Sequence, residues 1–291
     1  MRVSGAGMGC PDWPKCFDRW IPPTSMSQLP PDIDPTTFNI VLAWIEYFNR
    51  LMGVTVGILI FLTAILAFIY YRKVLKITIP SIAALLLVSY QGWQGGQVVT
   101  SNLKPLMVSL HFLSALIIGS ILIYATQQAY YLENPAAEKR ANYPYQSRAW
   151  LGILWIIGFL QVILGTQVRS GFEILAGQFP LLAKPDLVSH TGPMSYIHAL
   201  LGLLVGVLTF YTGSTILRRS KQPSSLVREG LWVMMILVIA QIGIGIALFM
   251  AGLPSLMQLF HLWIASLYMG TVFVLYLAFK KGMGGVHGSG E

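Results

Sequence analysis

A chain of 291 residues that is 55% hydrophobic and 10% charged is too apolar for an ordinary soluble domain, whose charged share is about a quarter. Its net charge of +8 would suit a nucleic-acid binder only if the cations clustered. They are instead distributed over alternate loops: Arg72, Lys73 and Lys76, then Lys139, Arg140 and Arg148, then Arg218, Arg219, Lys221 and Arg228, then Lys280 and Lys281.

The intervening loops dilute Arg2, Lys15, Arg19, Arg50, Lys104, Arg169 and Lys184 with Asp12, Asp18, Asp32, Asp34, Glu46, Glu173 and Asp186. Positive charge on the inside sets the topology of a multi-pass protein and accounts for the basic balance, so the partner is a lipid bilayer and not nucleic acid. The C-terminus is predicted on the cytoplasmic side, and both cysteines on the outside.

In chain order, residues 1–45 form an outer loop rich in Pro, Gly and Asp. Apolar runs long enough to cross a hydrocarbon core of about 30 Å follow at about 48–70, 77–99 and 107–130, completing an N-terminal unit over 1–131. Residues 132–148 read as a polar cytoplasmic linker. A C-terminal unit over 149–279 carries runs at about 149–168, 195–217, 231–251 and 256–279, giving about seven spans, and 280–291 read as a disordered tail.

The two units are copies of one another. A shift of about 149 positions lays Tyr47, Leu51, Gly53, Val56, Gly57, Leu59 and Phe61 on Tyr196, Leu200, Gly202, Val205, Gly206, Leu208 and Phe210. It also lays Leu106, Met107 and His111 on Leu256, Met257 and His261, give or take one residue, and Asn49 on His198. The outer loop opening Val168-Arg169-Ser170-Gly171 matches Arg2-Val3-Ser4-Gly5, but it follows a span that the first unit does not show. The reading therefore expects a further helix upstream of Arg2 in the complete protein, and four helices per unit.

Within the outer loop, five residues separate Cys10 from Cys16 on the oxidising side of the membrane, which permits a disulfide. A structural staple, a redox-active pair and free thiols all fit that spacing. At the next helix start Glu46 and Arg50 are four apart and can pair on one face, with Asn49 nearby on the same side. Glu46 and Arg50 read either as interfacial residues at a helix end or as a carboxylate for proton handling beside an arginine for anionic groups.

Further on, Gln91-x3-Gly95 recurs as Gln161-x3-Gly165 and Gln241-x3-Gly245, each in the outer half of its span, and reads as a helix-packing step. His190 reads as a loop residue, and His287 belongs to the tail.

Histidine within a bilayer is costly without a partner, so His111, His198 and His261 at matched depths in duplicated positions require an explanation. His198 and His261 come from two helices of one unit, and two imidazoles facing across a gap suit six-coordinate iron in a planar macrocycle, a bis-histidine heme, with an interhelical hydrogen bond or a lone metal ion as the other readings. Gly202 and Gly206 would form a smooth groove on the His198 helix. The first unit keeps His111 but has Asn49, a poor iron ligand, in place of a second histidine. A heme there would hold an open or loosely capped position, as a reactive heme needs.

At these residues the chain resembles the heme A synthases. The likeness runs from Arg2 to about Phe279 and rests on Gly7-x-Gly9-Cys10-Pro11-Asp12-Trp13-Pro14-Lys15-Cys16, Glu46-Tyr47-Phe48-Asn49-Arg50, His111, Tyr196-Ile197-His198 and Phe260-His261-Leu262-Trp263. The resemblance implies an all-α integral membrane protein of two pseudo-symmetric transmembrane four-helix bundles, the first helix of the N-terminal bundle missing from this chain. It implies heme b on His198 and His261, and heme O as substrate near His111, Asn49 and Arg50.

It further implies oxidation of the C8 methyl of heme O to the formyl of heme A by successive hydroxylations, for terminal cytochrome oxidases. His111 and Glu46 would take part in the chemistry, and Cys10 and Cys16 would be the loop pair. The implied setting is the bacterial cytoplasmic membrane, with a heme O synthase (a farnesyltransferase), an electron acceptor and possible homo-oligomers as partners. Many members carry histidine at the position of Asn49, so bis-histidine ligation of the substrate heme is the point of departure. The competing reading is a diheme b-type cytochrome that only transfers electrons.

Overall fold

The computed structural model describes residues 9–35, 38–135, 144, 146–179, 181, 190–220 and 223–282. Arg2 to Gly5, most of the predicted linker and the tail beyond 282 lie outside the described residues. Among the described residues seven long helices follow one another: α1 (Ile40–Tyr71), α2 (Leu75–Thr100), α3 (Pro105–Glu133), α4 (Ser147–Gln178), α5 (Pro193–Arg219), α6 (Ser225–Met250) and α7 (Ser255–Gly282). All seven are long and apolar enough to cross a membrane, and no strand is found among the described residues. The protein is an all-helical multi-pass membrane protein. In hydrocarbon such helices satisfy every backbone polar group internally.

Two helices extend well beyond the predicted spans. α1 begins at Ile40 because the Asn39 side chain accepts hydrogen bonds from the N–H groups of Val41 and Leu42, capping the first turn. α4 continues ten residues past Val168, through the stretch expected to open an outer loop. There Arg169 donates to Glu173 one turn on, at 2.6 and 2.9 Å, and Phe172 packs with Leu175, Ala176 and Leu253. An i,i+4 ion pair and an apolar contact carry the helix through a polar segment.

The chain divides into two compact units, Met1–Ile118 and Gly119–Glu291, the division falling within α3. In the first, α1 packs on α2. In the second, α4 packs on α5, α5 on α6, α6 on α7 and α7 on α4, which closes a four-helix ring. Its apolar core of Leu151, Leu154, Ile216, Leu231, Met234, Val272, Leu275 and Phe279 lies towards the start of α4 and the end of α7. The other end of the ring, around His198 and His261, is only half-buried.

The duplicated sequence has a duplicated turn. Asn102 and Leu103 after α2 have φ of 52° and 57°, and Gly252 and Leu253 after α6 have 67° and 58°. In both, the leucine N–H donates to the carbonyl five residues back, Leu103 to Val98 and Leu253 to Leu248, which satisfies carbonyls the ended helix leaves open. Each turn delivers a histidine at the same distance, since 111 − 103 and 261 − 253 are both eight residues.

Candidate functional site

Three histidines enter their helices at one depth. His111 is the seventh residue of α3, His198 the sixth of α5 and His261 the seventh of α7; at 1.5 Å per residue each lies about 8–9 Å from its helix start. The start of α5 is set by Gly192, whose φ of 78° is open to glycine, followed by Pro193 in the first turn, where its missing N–H costs nothing.

The second unit brings His198 and His261 together, with ring centroids 6.4 Å apart and planes inclined at 67°. Two metal–nitrogen bonds of about 2 Å, with about 1 Å more from each nitrogen to its ring centre, put the rings of a trans bis-imidazole complex about 6 Å apart. The observed separation matches. Among the described residues no group of three or more His, Cys, Asp or Glu is placed to hold a metal ion. Two imidazoles alone suit a metal whose other ligands come from a macrocycle.

Each histidine rests on a Gln-x3-Gly step of the preceding helix. Gln91 Nε2 donates to the His111 carbonyl at 2.7 Å, Gln161 Nε2 donates to the His198 carbonyl at 3.0 Å, and Gln241 Nε2 lies 3.1 Å from His261 Nε2. A Cβ built on Gly95, Gly165 or Gly245 would stand 3.5, 3.2 or 3.4 Å from the Cε1 of the same histidine. An added methyl group would press on the ring at Gly165 and would be in ordinary contact with it at Gly95 and Gly245, so each imidazole lies over its glycine. Gly202 and Gly206 face inward, but against the Gln161 amide and the Ile242 side chain; they are close-approach points between helices and not the walls of an open groove.

In the first unit, His111 lies beside Gln91 and Gly95, while Asn49 is exposed on α1. Glu46 is 1% exposed and both its oxygens are engaged: Oε2 accepts from the Cys10 N–H at 2.9 Å, and Oε1 accepts from Arg50 at 2.5 Å. Arg50 donates in turn to the carbonyls of Asp12 at 2.9 Å and Lys15 at 2.7 Å. The pair therefore ties the outer loop to α1. Trp13 of that loop lies against Gly96, whose Cβ would come within 2.9 Å of the indole, and neighbouring Gly95 carries His111. The loop is thus held one residue from the bed of the histidine, a link the sequence did not reveal because it joins stretches some eighty positions apart.

Cys10 and Cys16 form a disulfide, 0% and 2% exposed, among Phe17, Ala43, Leu29, Ile33 and Phe38. Exposed disulfides are the exchangeable kind. This one is expected to stay oxidised under dithiothreitol in the folded protein; labelling of both thiols by an alkylating reagent without denaturant would identify an exchangeable pair. Glu46→Ala leaves the largely buried Arg50 guanidinium uncompensated and is expected to cost about 3–5 kcal/mol. Thermal denaturation in detergent checks it, with Glu46→Gln expected to lose less because an amide oxygen can still accept from Cys10.

The C-terminal end of α4 adds residues that the sequence reading left in a loop. Arg169, paired with Glu173, also bonds Gln258, one turn before His261. Arg169 therefore lies beside the helix turn that precedes His261.

A family model described as cytochrome oxidase assembly protein, COX15-CtaA, matches residues 1–273. Relatives include the heme A synthase of Shouchella clausii, 26% identical over 91% of this chain and 85% of its own length. That of Exiguobacterium sibiricum is 25% identical over 95% and 87%, and that of Ehrlichia canis 25% identical over 94% and 84%. No solved structure matches the chain.

Proposed function

The chain belongs to the COX15-CtaA family of cytochrome oxidase assembly proteins, and from that premise we propose that it is a heme A synthase, an oxidoreductase that converts heme O into heme A. The observation that carries the reading is the His198–His261 pair at 6.4 Å. Its bed of Gln and Gly recurs under His111 in the other unit, so a resident heme and a substrate heme have equivalent supports. The functional halves are the two bundles over 1–131 and 149–279, joined by 132–148.

His198 and His261 would hold heme b, which when bound supplies one-electron redox chemistry. His111 would hold the iron of heme O from one side and thereby orient its oxidisable methyl group. Asn49, exposed and a weak ligand, leaves the opposite side open. Arg50 would lend its charge to heme O carboxylates. Glu46, already holding the Cys10 N–H and Arg50, would keep the outer loop closed over the substrate and serve as the nearby carboxylate for proton transfer. The Cys10–Cys16 bond would secure that loop.

Alternate-loop charge supports an orientation in the bacterial cytoplasmic membrane with the Cys loop outside and the C-terminus cytoplasmic. A heme O synthase would deliver the substrate and an electron acceptor would take the reducing equivalents; assembly into homo-oligomers is part of the same proposal. The test is chromatography of extracted hemes from cells that make heme O, with and without this protein. Heme A appearing only with the protein supports the reading. Two low-spin b hemes with no heme A would instead identify an electron-transfer cytochrome.

A further inference from the structure

The Gln-x3-Gly steps do more than pack helices. In all three, the glutamine Oε1 and the Nδ1 of the facing histidine are buried with no hydrogen-bond partner: Gln91 and His111, Gln161 and His198, Gln241 and His261. Buried polar atoms are almost always paired, so a single orphan could be accidental, but an acceptor and a ring nitrogen orphaned together in three independent pairs is a pattern. Gln241 Nε2 lies 3.1 Å from His261 Nε2, the nitrogen that iron would take, so on ligation this amide would have to turn for its Oε1 to meet Nδ1. An interhelical bond alone would not leave the same two complementary atoms open each time.

We propose that Gln91, Gln161 and Gln241 are positioning residues that accept the Nδ1–H of His111, His198 and His261 when the Nε2 of each ring is on heme iron. This rests on the heme reading above and deepens it. A ligating histidine ordinarily donates its second ring N–H to an acceptor, which fixes tautomer and ring orientation and makes the imidazole a stronger donor to the metal. Glycine four residues on leaves the ring room over the helix, and the glutamine would then set its rotation. A stronger donor favours ferric iron, so the glutamines would hold the heme b potential down.

The experiment uses the full chain purified in detergent, in Gln161→Leu, Gln241→Leu, Gln161→Glu and Gln241→Glu forms, with redox titration and electron paramagnetic resonance of the bound heme. The Leu variants are expected to keep a low-spin heme whose ferrous-to-ferric equilibrium shifts at least about tenfold towards ferrous, about 59 mV for one electron. The Glu variants are expected to shift it the other way. Leu variants with unchanged potential and unchanged resonance overturn the inference and leave the glutamines as packing residues. If the Leu variants lose heme, the Glu variants decide, a lowered potential supporting the inference and an unchanged one overturning it. A parent protein without bis-histidine heme overturns the heme reading and this inference together, and shows itself before any variant is made.

Discussion

Replacing His198 or His261 with alanine is expected to empty the second unit of heme b and to reduce heme A formation by more than about 100-fold. Loss of an outer-shell partner alone costs about 10–100-fold in metal affinity or activity, and a first ligand should cost at least that. The two rings, 6.4 Å apart, would hold one iron between them, so their effects are not expected to be independent. The double variant should lose no more than either single one, because a six-coordinate site with one ligand gone is already broken. The helices themselves should survive, since the buried core of Leu151, Leu154, Leu231, Val272 and Phe279 lies at the other end of the ring. Heme per protein by reduced pyridine hemochrome, with heme A by chromatography, measures both quantities. Full heme b occupancy in His198→Ala would remove the assignment of the site.

His111→Ala has the opposite signature: heme A formation is expected to fall by more than about 100-fold while low-spin heme b in the second unit is retained. The separation follows from the division of the chain, with His111 in the unit Met1–Ile118 and the imidazole pair in Gly119–Glu291. The contacts given for His111 are Gln91 and Gly95 of its own unit. Without the imidazole a cavity remains where heme O iron would be anchored, and loss of orientation at the reacting methyl group costs rate rather than stability. Undiminished heme A in this variant would sink the assignment of the N-terminal site, and added imidazole restoring turnover would strengthen it.

Glu46 is where the two levels of reading differ most. On the sequence it is a carboxylate at a helix start with an arginine four residues on, and the pairing expected from that spacing is present at 2.5 Å. Its second partner, the Cys10 N–H, is thirty-six positions away and comes within reach only when the outer loop folds back on α1. A chemical role for this residue must therefore be separated from its role in holding the loop, which is why Glu46→Gln belongs beside Glu46→Ala.

Spans, duplication and histidine depth were legible from the residues alone. A bilayer of fixed thickness demands apolar runs of fixed length, and a helix of constant rise turns position along the run into depth. That His111, His198 and His261 lie at one distance from their own helix starts is therefore a property of the chain, as is the equivalence of the turns at Leu103 and Leu253.

What each helix turns towards its neighbours was decided only in three dimensions. Helices surrounded by lipid are apolar on every side, so no polar stripe marks the inner face. Hence Gly202 and Gly206 could be taken for a groove when they meet Gln161 and Ile242. Hence too the three Gln-x3-Gly steps could not be joined to the three histidines until Gln91 of α2 met His111 of α3 and α4 lay beside α5 and α6 beside α7. Depth follows from counting residues, whereas facing follows from packing, and the heme site proposed here requires both.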